Sequence, residues 1–331
     1  MQGRRQFLGW AAAAAAGAGA LPAGVRAQAA GGAGVARLLI GAPAGGAGDT
    51  FLRRVAERLR AGGYAPSVIV DNRPGAGGQI ALMATREAAG DGNTLLMSPS
   101  TFFSLYPHTY SKLPYNPASD FQAVSLMAHT NFGLAVGPAV PASVTNLREF
   151  LAWAKANPDK ATYGSPAPGS VPHLIVAATG KLSEIELRHV PYKGSVPGLQ
   201  DMRGGQIAAM SSPIGALAPL VGTGGVRVLA VTGTARSALL PEVRTYREQG
   251  VAITGREWFG LFLPGSAAPA VVARAAEHIK AALQSKELVD AATQLGLDVG
   301  SSSAAELRDM IQADSEEWKV WVKRVGFTAE S

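Results

Sequence analysis

Five histidines, 24 carboxylates and no cysteine bound the chemistry open to this chain of 331 residues. Without cysteine there is no thiol nucleophile, no disulfide and no sulfur-ligated metal cluster. The histidines, at 108, 129, 173, 189 and 278, show neither H-x-x-x-H nor H-E-x-x-H spacing, so no metal site is expected. Ser170 and His173 stand three apart and could touch as a nucleophile and a base. No G-x-S-x-G elbow or third member accompanies them, so no catalytic residue is assigned and His173 reads as a packing or supporting residue. What remains is binding. The stretch 43–49 places Gly45, Gly46 and Gly48 just before a helical pattern, with Asp49 as its expected N-cap. Such a loop can hold an anion on backbone N–H groups at a helix start, where glycine permits close approach. It equally fits a plain tight turn between strand and helix, and both readings stand. Residues 163–170 repeat the arrangement, a strand, then small residues, then Ser170 as N-cap. Two such helix ends facing one cleft would suit a ligand with two negatively charged oxygen groups. Neither is a nucleotide loop: Gly75-Ala76-Gly77 needs a glycine at position 80 and meets Ile80, and no G-K-[ST] follows a glycine cluster.

The elements that must carry these loops alternate. Residues 35–40 read as a strand, 50–60 as an amphipathic helix, 67–70 as a strand, 79–88 as a helix and 95–97 as a third strand. After a polar, proline-marked passage, the apolar run 132–136 opens a second set. A helix from Asn146 ends before Pro158, strands are expected at 161–164, 187–190, 207–210 and 226–232, and helices begin near Ser170, Ser195 and Pro213. Strands separated by single helices predict parallel sheets covered on both faces. The C-terminal part reads as helices at 269–283, 286–295 and 303–325, the last opened by the capping box Ser303 to Glu306 and burying Leu307, Met310, Ile311, Trp318, Trp321 and Val325. The fold class is therefore α/β with two lobes around a cleft. One domain takes 30–130 and 251–331 and the other 131–250, with hinges near 129–131 and 250–257.

The first 29 residues read as an export signal rather than structure: Arg4 and Arg5, an uncharged alanine-rich run, and the triplet Ala27-Gln28-Ala29 at the cleavage point. Arg4-Arg5 with Phe7-Leu8 resembles the twin-arginine pattern, although Gly3 and Gly9 depart from it, which leaves ordinary unfolded export open. Removal of 1–29 takes away three arginines and no acid, so a net charge of 30 − 24 = +6 becomes 27 − 24 = +3. Charge so small and dispersed speaks against a nucleic-acid partner. The expected location is the periplasm.

Seven motifs then appear in order: Ala44-Gly45-Gly46 with Asp49; Asn72-Arg73-Pro74-Gly75-Ala76-Gly77-Gly78; Leu113-Pro114-Tyr115 with Asp120-Phe121; His189-Val190-Pro191-Tyr192-Lys193-Gly194; Gly204-Gly205-Gln206; Leu229-Ala230-Val231-Thr232 with Arg236; and Trp258-Phe259-Gly260-Leu261. Together, from about Leu38 to Val325, they resemble the Bug-type periplasmic solute-binding receptors of tripartite tricarboxylate transporters. The resemblance implies a periplasmic binding protein of type II that closes over a small carboxylate and passes it to membrane subunits. It implies no cofactor, and the chain is expected to work as a monomer. It also implies a ligand set: Ala42, Gly45, Gly46 and Asp49 in the first loop, Ser165, Gly169 and Ser170 in the second lobe, and the strand-end residues Ser98 and Ser212.

Departures from the family pattern bear on the ligand. Gly41-Ala42 stands where many relatives have Pro-Phe, which predicts a more open wall. Ser212 stands where many carry an acid that could pair with an ammonium group. A di- or tricarboxylate, or an aromatic acid, is therefore expected rather than an amino acid. A sensory receptor that presents its bound form to a signalling partner shares every one of these features.

Overall fold

The computed structural model describes residues 34–327; the expected export signal lies outside them. In chain order the elements are β1 (Val35–Ile40), α1 (Ala47–Ala61), β2 (Ser67–Asn72), α2 (Gln79–Arg86), β3 (Thr94–Pro99), α3 (Tyr106–Thr109), β4 (Phe121–Val136), α4 (Leu147–Ala156), β5 (Thr162–Ser165), α5 (Val171–Leu182), β6 (Arg188–Pro191), α6 (Ser195–Arg203), β7 (Ala209–Pro213), α7 (Ile214–Leu217), β8 (Arg227–Val231), β9 (Arg256–Pro264), α8 (Pro269–Leu283), α9 (Lys286–Gln294), β10 (Leu297–Val299) and α10 (Ala304–Val325).

The strands run in the order β2-β1-β3-β9-β4-β7-β5-β6, with β8 and β10 also pairing with β4. Two parallel triads, β2-β1-β3 and β6-β5-β7, sit at the two ends. The strands between them are antiparallel, a departure from the all-parallel expectation. The 16-residue β4 is the reason. Its first part, through Asn131, pairs with β9, and from Phe132 onward it pairs with β7. A single strand thus belongs to both sheets, and the first crossing at 129–131 is unbroken strand. Little in the residue pattern signals this, because 121–131 mixes polar and apolar residues where a strand covered on both sides should be continuously apolar. The return passes through 250–255 into β9, which sequence periodicity missed.

Each sheet is covered on both faces. In the first lobe α1, α8 and α9 bury Phe51, Leu52, Val55, Ile279 and Leu288 against β1 and β4, while α2 and the turn after β3 bury Leu82, Phe102 and Phe103 on the other side. In the second, α4 and α5 bury Phe150, Leu174 and Ile175 on one face, and α6 and α7 bury Leu199, Met202 and Leu217 on the other. Helix α10 belongs to both cores. Its start packs Leu307, Met310 and Ile311 on the first lobe, and its end packs Trp318, Trp321, Val322 and Val325 on the second. Of the six residues expected to be buried on it, only Leu307 is fully so; the helix lies along a seam, and its other apolar residues are half-covered.

Candidate ligand site

Parallel triads bring the C-terminal ends of their strands to one edge, and that edge is where loops can gather ligand groups. In the first lobe, β1 delivers the loop 41–46. In register, Ile40 faces Met97 of β3, so the loop leaves the sheet beside Ser98. Helix α1 begins earlier than the periodicity predicts, at Ala47, with Gly46 as N-cap. Asp49 is therefore not the cap but the third residue of the first turn. From there its carboxylate reaches back to accept the Gly45 N–H at 2.8 Å, Asn72 Nδ2 at 2.9 Å and Arg53 Nε at 3.0 Å. Asn72 also donates to the Ala42 carbonyl at 3.1 Å. Burial opposes the charge on Asp49 (2% exposed), but the hydrogen bonds from Arg53, Gly45 and Asn72 outweigh it and hold the carboxyl below its usual range. Arg53 balances the charge of this acid at 3.0 Å, and the uncharged Gly45 and Asn72 donors satisfy its remaining oxygen sites.

The glycines are required by geometry. Gly45 has φ +85°, and a Cβ on Gly41 would lie 2.6 Å from the Gly78 carbonyl oxygen. Position 41 is thus packed against the backbone of the neighbouring loop. The N–H groups of Gly46, Ala47 and Gly48 have no hydrogen-bond acceptor among the described residues. Helix α1 starts without a side-chain cap.

In the second lobe, β5 ends at Ser165 and α5 starts after Ser170. Ser170 occupies the N-cap position, as expected, but its hydroxyl does not cap; it donates to the Ala167 carbonyl at 2.7 Å. Ser165 Oγ donates to the same carbonyl at 3.0 Å and lies 2.8 Å from His189 Nε2. Gly169 (φ +67°) donates its N–H to His173 Nδ1 at 2.9 Å. Ser212, at the end of β7, is fully buried and donates to Ser195 Oγ at 2.7 Å, at the start of α6. Ser98 is buried and donates to Pro99 O.

The expected residues thus form two groups. Ala42, Gly45, Gly46 and Asp49 make one hydrogen-bonded loop beside Ser98, and Ser165, Gly169 and Ser170 make another. Ser212 turns away from that second loop toward α6. Among the described residues no side-chain hydrogen bond joins the groups, but the Cβ direction of Gly169 ends 3.6 Å from Thr109 Oγ1 of the first lobe, so the second loop abuts α3. Three supporting residues escaped the site assignment: Arg53, Asn72 and His189. The i, i+4 spacing of Asp49 and Arg53 on one helix was a readable signal for the first. Nothing local in the sequence marks the contacts of His189 or Asn72, which come from strands far along the chain. A small apolar recess between α5, residues 253–255 and α10, lined by Leu174, Ile175, Trp318 and Trp321, includes none of the expected residues.

The comparisons with known proteins agree with this architecture. Residues 51–327 match the family described as the tripartite tricarboxylate transporter family receptor. A UPF0065 protein from the gbd 5' region of Cupriavidus necator is 34% identical over 247 residues, 75% of this chain and 74% of that one. Protein BugT of Bordetella pertussis is 30% identical over 296 residues, 88% of this chain and 89% of its own. Among solved structures, R. palustris Rpa4515 with adipate superposes with a TM-score of 0.82 at 28% identity, covering 88% of this chain and 97% of that one. The periplasmic binding protein BugD gives 0.81 at 25% identity, covering 89% and 99%. No helix among the described residues is long and apolar enough to cross a membrane. The chain is a two-lobed α/β solute-binding receptor rather than an enzyme, and it belongs to the tripartite tricarboxylate transporter receptor family.

Proposed function

We propose that this protein captures a small carboxylate in the periplasm, between a lobe of residues 30–130 with 251–331 and a lobe of residues 131–250, and delivers it to the membrane subunits of a tripartite transporter. The observation that carries the reading is where the fold withholds its helix caps. Helices α4, α9 and α10 are closed by the side chains of Asn146, Ser285 and Ser303. Helices α1 and α5 are not, although α5 has a serine in position to do it. Helices α2 and α6, which start beside the same loops, also lack a side-chain cap, as do α3, α7 and α8. An uncapped helix start presents free N–H groups and about half a positive charge, which favours an anion without any buried cation.

One carboxylate group rests on the N–H groups of Gly46, Ala47 and Gly48, with Ala42 and Gly45 shaping the loop and Asp49 bracing it. The other end of the ligand meets the start of α5 at Ser170, with Ser165 and Gly169 shaping that loop, and Ser98 and Ser212, at the ends of β3 and β7, support the site from beneath. A ligand that touches both loops binds the closed form better than the open one, and that difference drives closure. Ser212 supplies no negative charge for an ammonium group, so the ligand is an acid without one.

Titration calorimetry with adipate, citrate, benzoate and glutamate, together with native mass spectrometry of what co-purifies, tests this. Binding of one of the first three, with stabilisation of about 2.7 kcal/mol at one hundred times its dissociation constant, is expected. Binding of glutamate alone, or a co-purified ligand with no carboxylate, would overturn it.

A further inference from the structure

Beneath the second loop two imidazoles lie face to face. The rings of His173 and His189 are 3.8 Å apart between centroids and 15° from parallel. One comes from the first turn of α5 and the other from β6, and each holds one end of the loop between them. Gly169 donates to His173 Nδ1, so that nitrogen is bare and the ring proton sits on Nε2. Ser165 directs its own proton to the Ala167 carbonyl, which leaves His189 Nε2–H as the donor to Ser165 Oγ. Both ends of the loop are thereby fixed to one rigid object.

We propose that the stacked pair His173 and His189, through the hydrogen bond each makes to the loop rather than through the stacking itself, positions the second loop in the shape that meets a bound carboxylate. The inference rests on the carboxylate reading of this site. Neither ring touches the ligand; His173 acts through the Gly169 amide and His189 through the Ser165 hydroxyl. The arrangement has a chemical consequence. By taking up the Gly169 N–H, His173 removes the first donor of the turn and directs the anion to the N–H groups that follow Ser170. It also requires the His173 ring to be neutral, since a proton on its Nδ1 would turn the acceptor of the Gly169 bond into a second donor.

The surroundings suit neutral rings. His173 faces Tyr163 of β5, His189 of β6, and Phe327, whose ring stands edge-on at 4.8 Å after the end of α10. His189 faces Tyr163 and Ser165. Tyr163 stays protonated, because burial pushes its hydroxyl far up. Among the described residues, His189 is the titratable group whose charge bears on His173; burial and that neighbour push His173 down to about 3, and burial brings His189 to about 4.

The test compares two replacements in the full protein. In H173N the amide oxygen can stand where Nδ1 stood and still accept from Gly169; in H173F the ring is kept and the acceptor is lost. Adipate affinity should fall about tenfold in H173F, as the loss of one buried hydrogen bond implies, and stay within about threefold of the parent in H173N. Amide exchange at Gly169 should quicken about tenfold in H173F alone. Equal losses in both variants, or an unchanged Gly169 amide in H173F, would overturn the proposal. Nitrogen NMR of the parent protein tests the same point even if H173F does not fold: His173 must be unprotonated at Nδ1 at pH 7, and the other tautomer refutes the stack's role. If the parent protein binds no carboxylate, the ligand reading fails while the exchange and tautomer results still decide the role of the stack.

Discussion

The two loops proposed to hold the carboxylate are braced with opposite materials. The first, between β1 and α1, is braced by an ion: the Asp49 carboxylate, satisfied by Arg53, Asn72 and the Gly45 N–H. The second, between β5 and α5, is braced by neutral groups: two stacked imidazoles, two serine hydroxyls and the Ala167 carbonyl. The difference follows from the partners at hand, since Asp49 and His173 are both almost fully buried and only Asp49 has an opposite charge beside it. The Arg53 side chain is half exposed, so water screens the outer end of the first brace and the ion pair can be kept. His173 is 5% exposed within an aromatic cage, where an unpaired charge would be costly. A buried acid can brace a loop only where it is neutralised locally: Arg53 does this for Asp49, and among the described residues no ion pair serves the second loop, which is braced by neutral groups.

The comparison is most easily broken in the first loop. In D49A the Gly45 N–H and the Asn72 amide lose a charged acceptor and Arg53 loses its partner. Hydrogen bonds to charged groups contribute about 1.5–3 kcal/mol each in favourable cases, so a stability loss of about 3 kcal/mol in chemical denaturation is expected. Ligand affinity should fall with it. D49N keeps an oxygen for Gly45 but sets an NH₂ group toward Arg53 or Asn72, and should lie between. If D49A bound ligand as tightly as the parent protein, the brace would have no part in shaping the loop.

Acid should separate the loops, because their braces fail in different pH windows. His173 has a folded value near 3, below the unfolded value of about 6.5. As pH falls from 6.5 toward 3 the unfolded chain takes up a proton that the folded one refuses, and stability is lost across that window. Between pH 7 and 5 this amounts to about 2 kcal/mol for His173 alone. Asp49 carries the opposite sign: its value is lowered on folding, so its contribution is complete above the unfolded value near 4 and is lost only as pH falls through the folded one. At pH 5 the first loop should keep its amide protection while the second has begun to lose it. Parallel loss in both loops between pH 7 and 5 would show that they do not respond separately.

How much of this is legible in the sequence follows the range of the interactions. The helix and strand periods of both triads are local, and so are the glycines before α1 and the serine before α5; all are visible there. An acid before an amphipathic run is the usual cap signal and points to Asp49, but the two small residues Gly48 and Ala47 continue the helix back beyond it. The antiparallel centre is hidden for another reason. Strand β4 carries polar Gln122, Ser125, His129, Thr130 and Asn131 within one continuous ladder, so its apolar pattern is broken where it passes between lobes. Local pattern also cannot show that His173 of α5 and His189 of β6 stack, since only the fold brings those rings together.

The crossing between the loops supplies the last and smallest effect, and it runs against the histidines. Glu257, the second residue of β9, pairs in register with Thr130 and accepts a hydrogen bond from Thr101 just beyond the end of β3. Burial raises it from 4.5 to about 7; the Thr101 bond opposes that shift, and the nearby Asp314, itself raised to about 6 mainly by burial, adds to it. Here the folded chain holds the proton more tightly than the unfolded one, so the contribution is complete in acid and is lost as pH rises through 7. The loss begins near 4.5, and the part of it between pH 6 and 8 is about 1 kcal/mol, which E257Q should abolish because the amide keeps the acceptor for Thr101 and carries no charge. Denaturant midpoints of parent and E257Q should therefore meet below about pH 4.5, draw apart as pH rises from there to about 7, and run parallel above about 8, whereas the histidine effect has the opposite sign and grows toward acid. A constant offset at all pH values would mean that Glu257 does not titrate in this range, and the crossing would then join the first loop in keeping its carboxylate ionised.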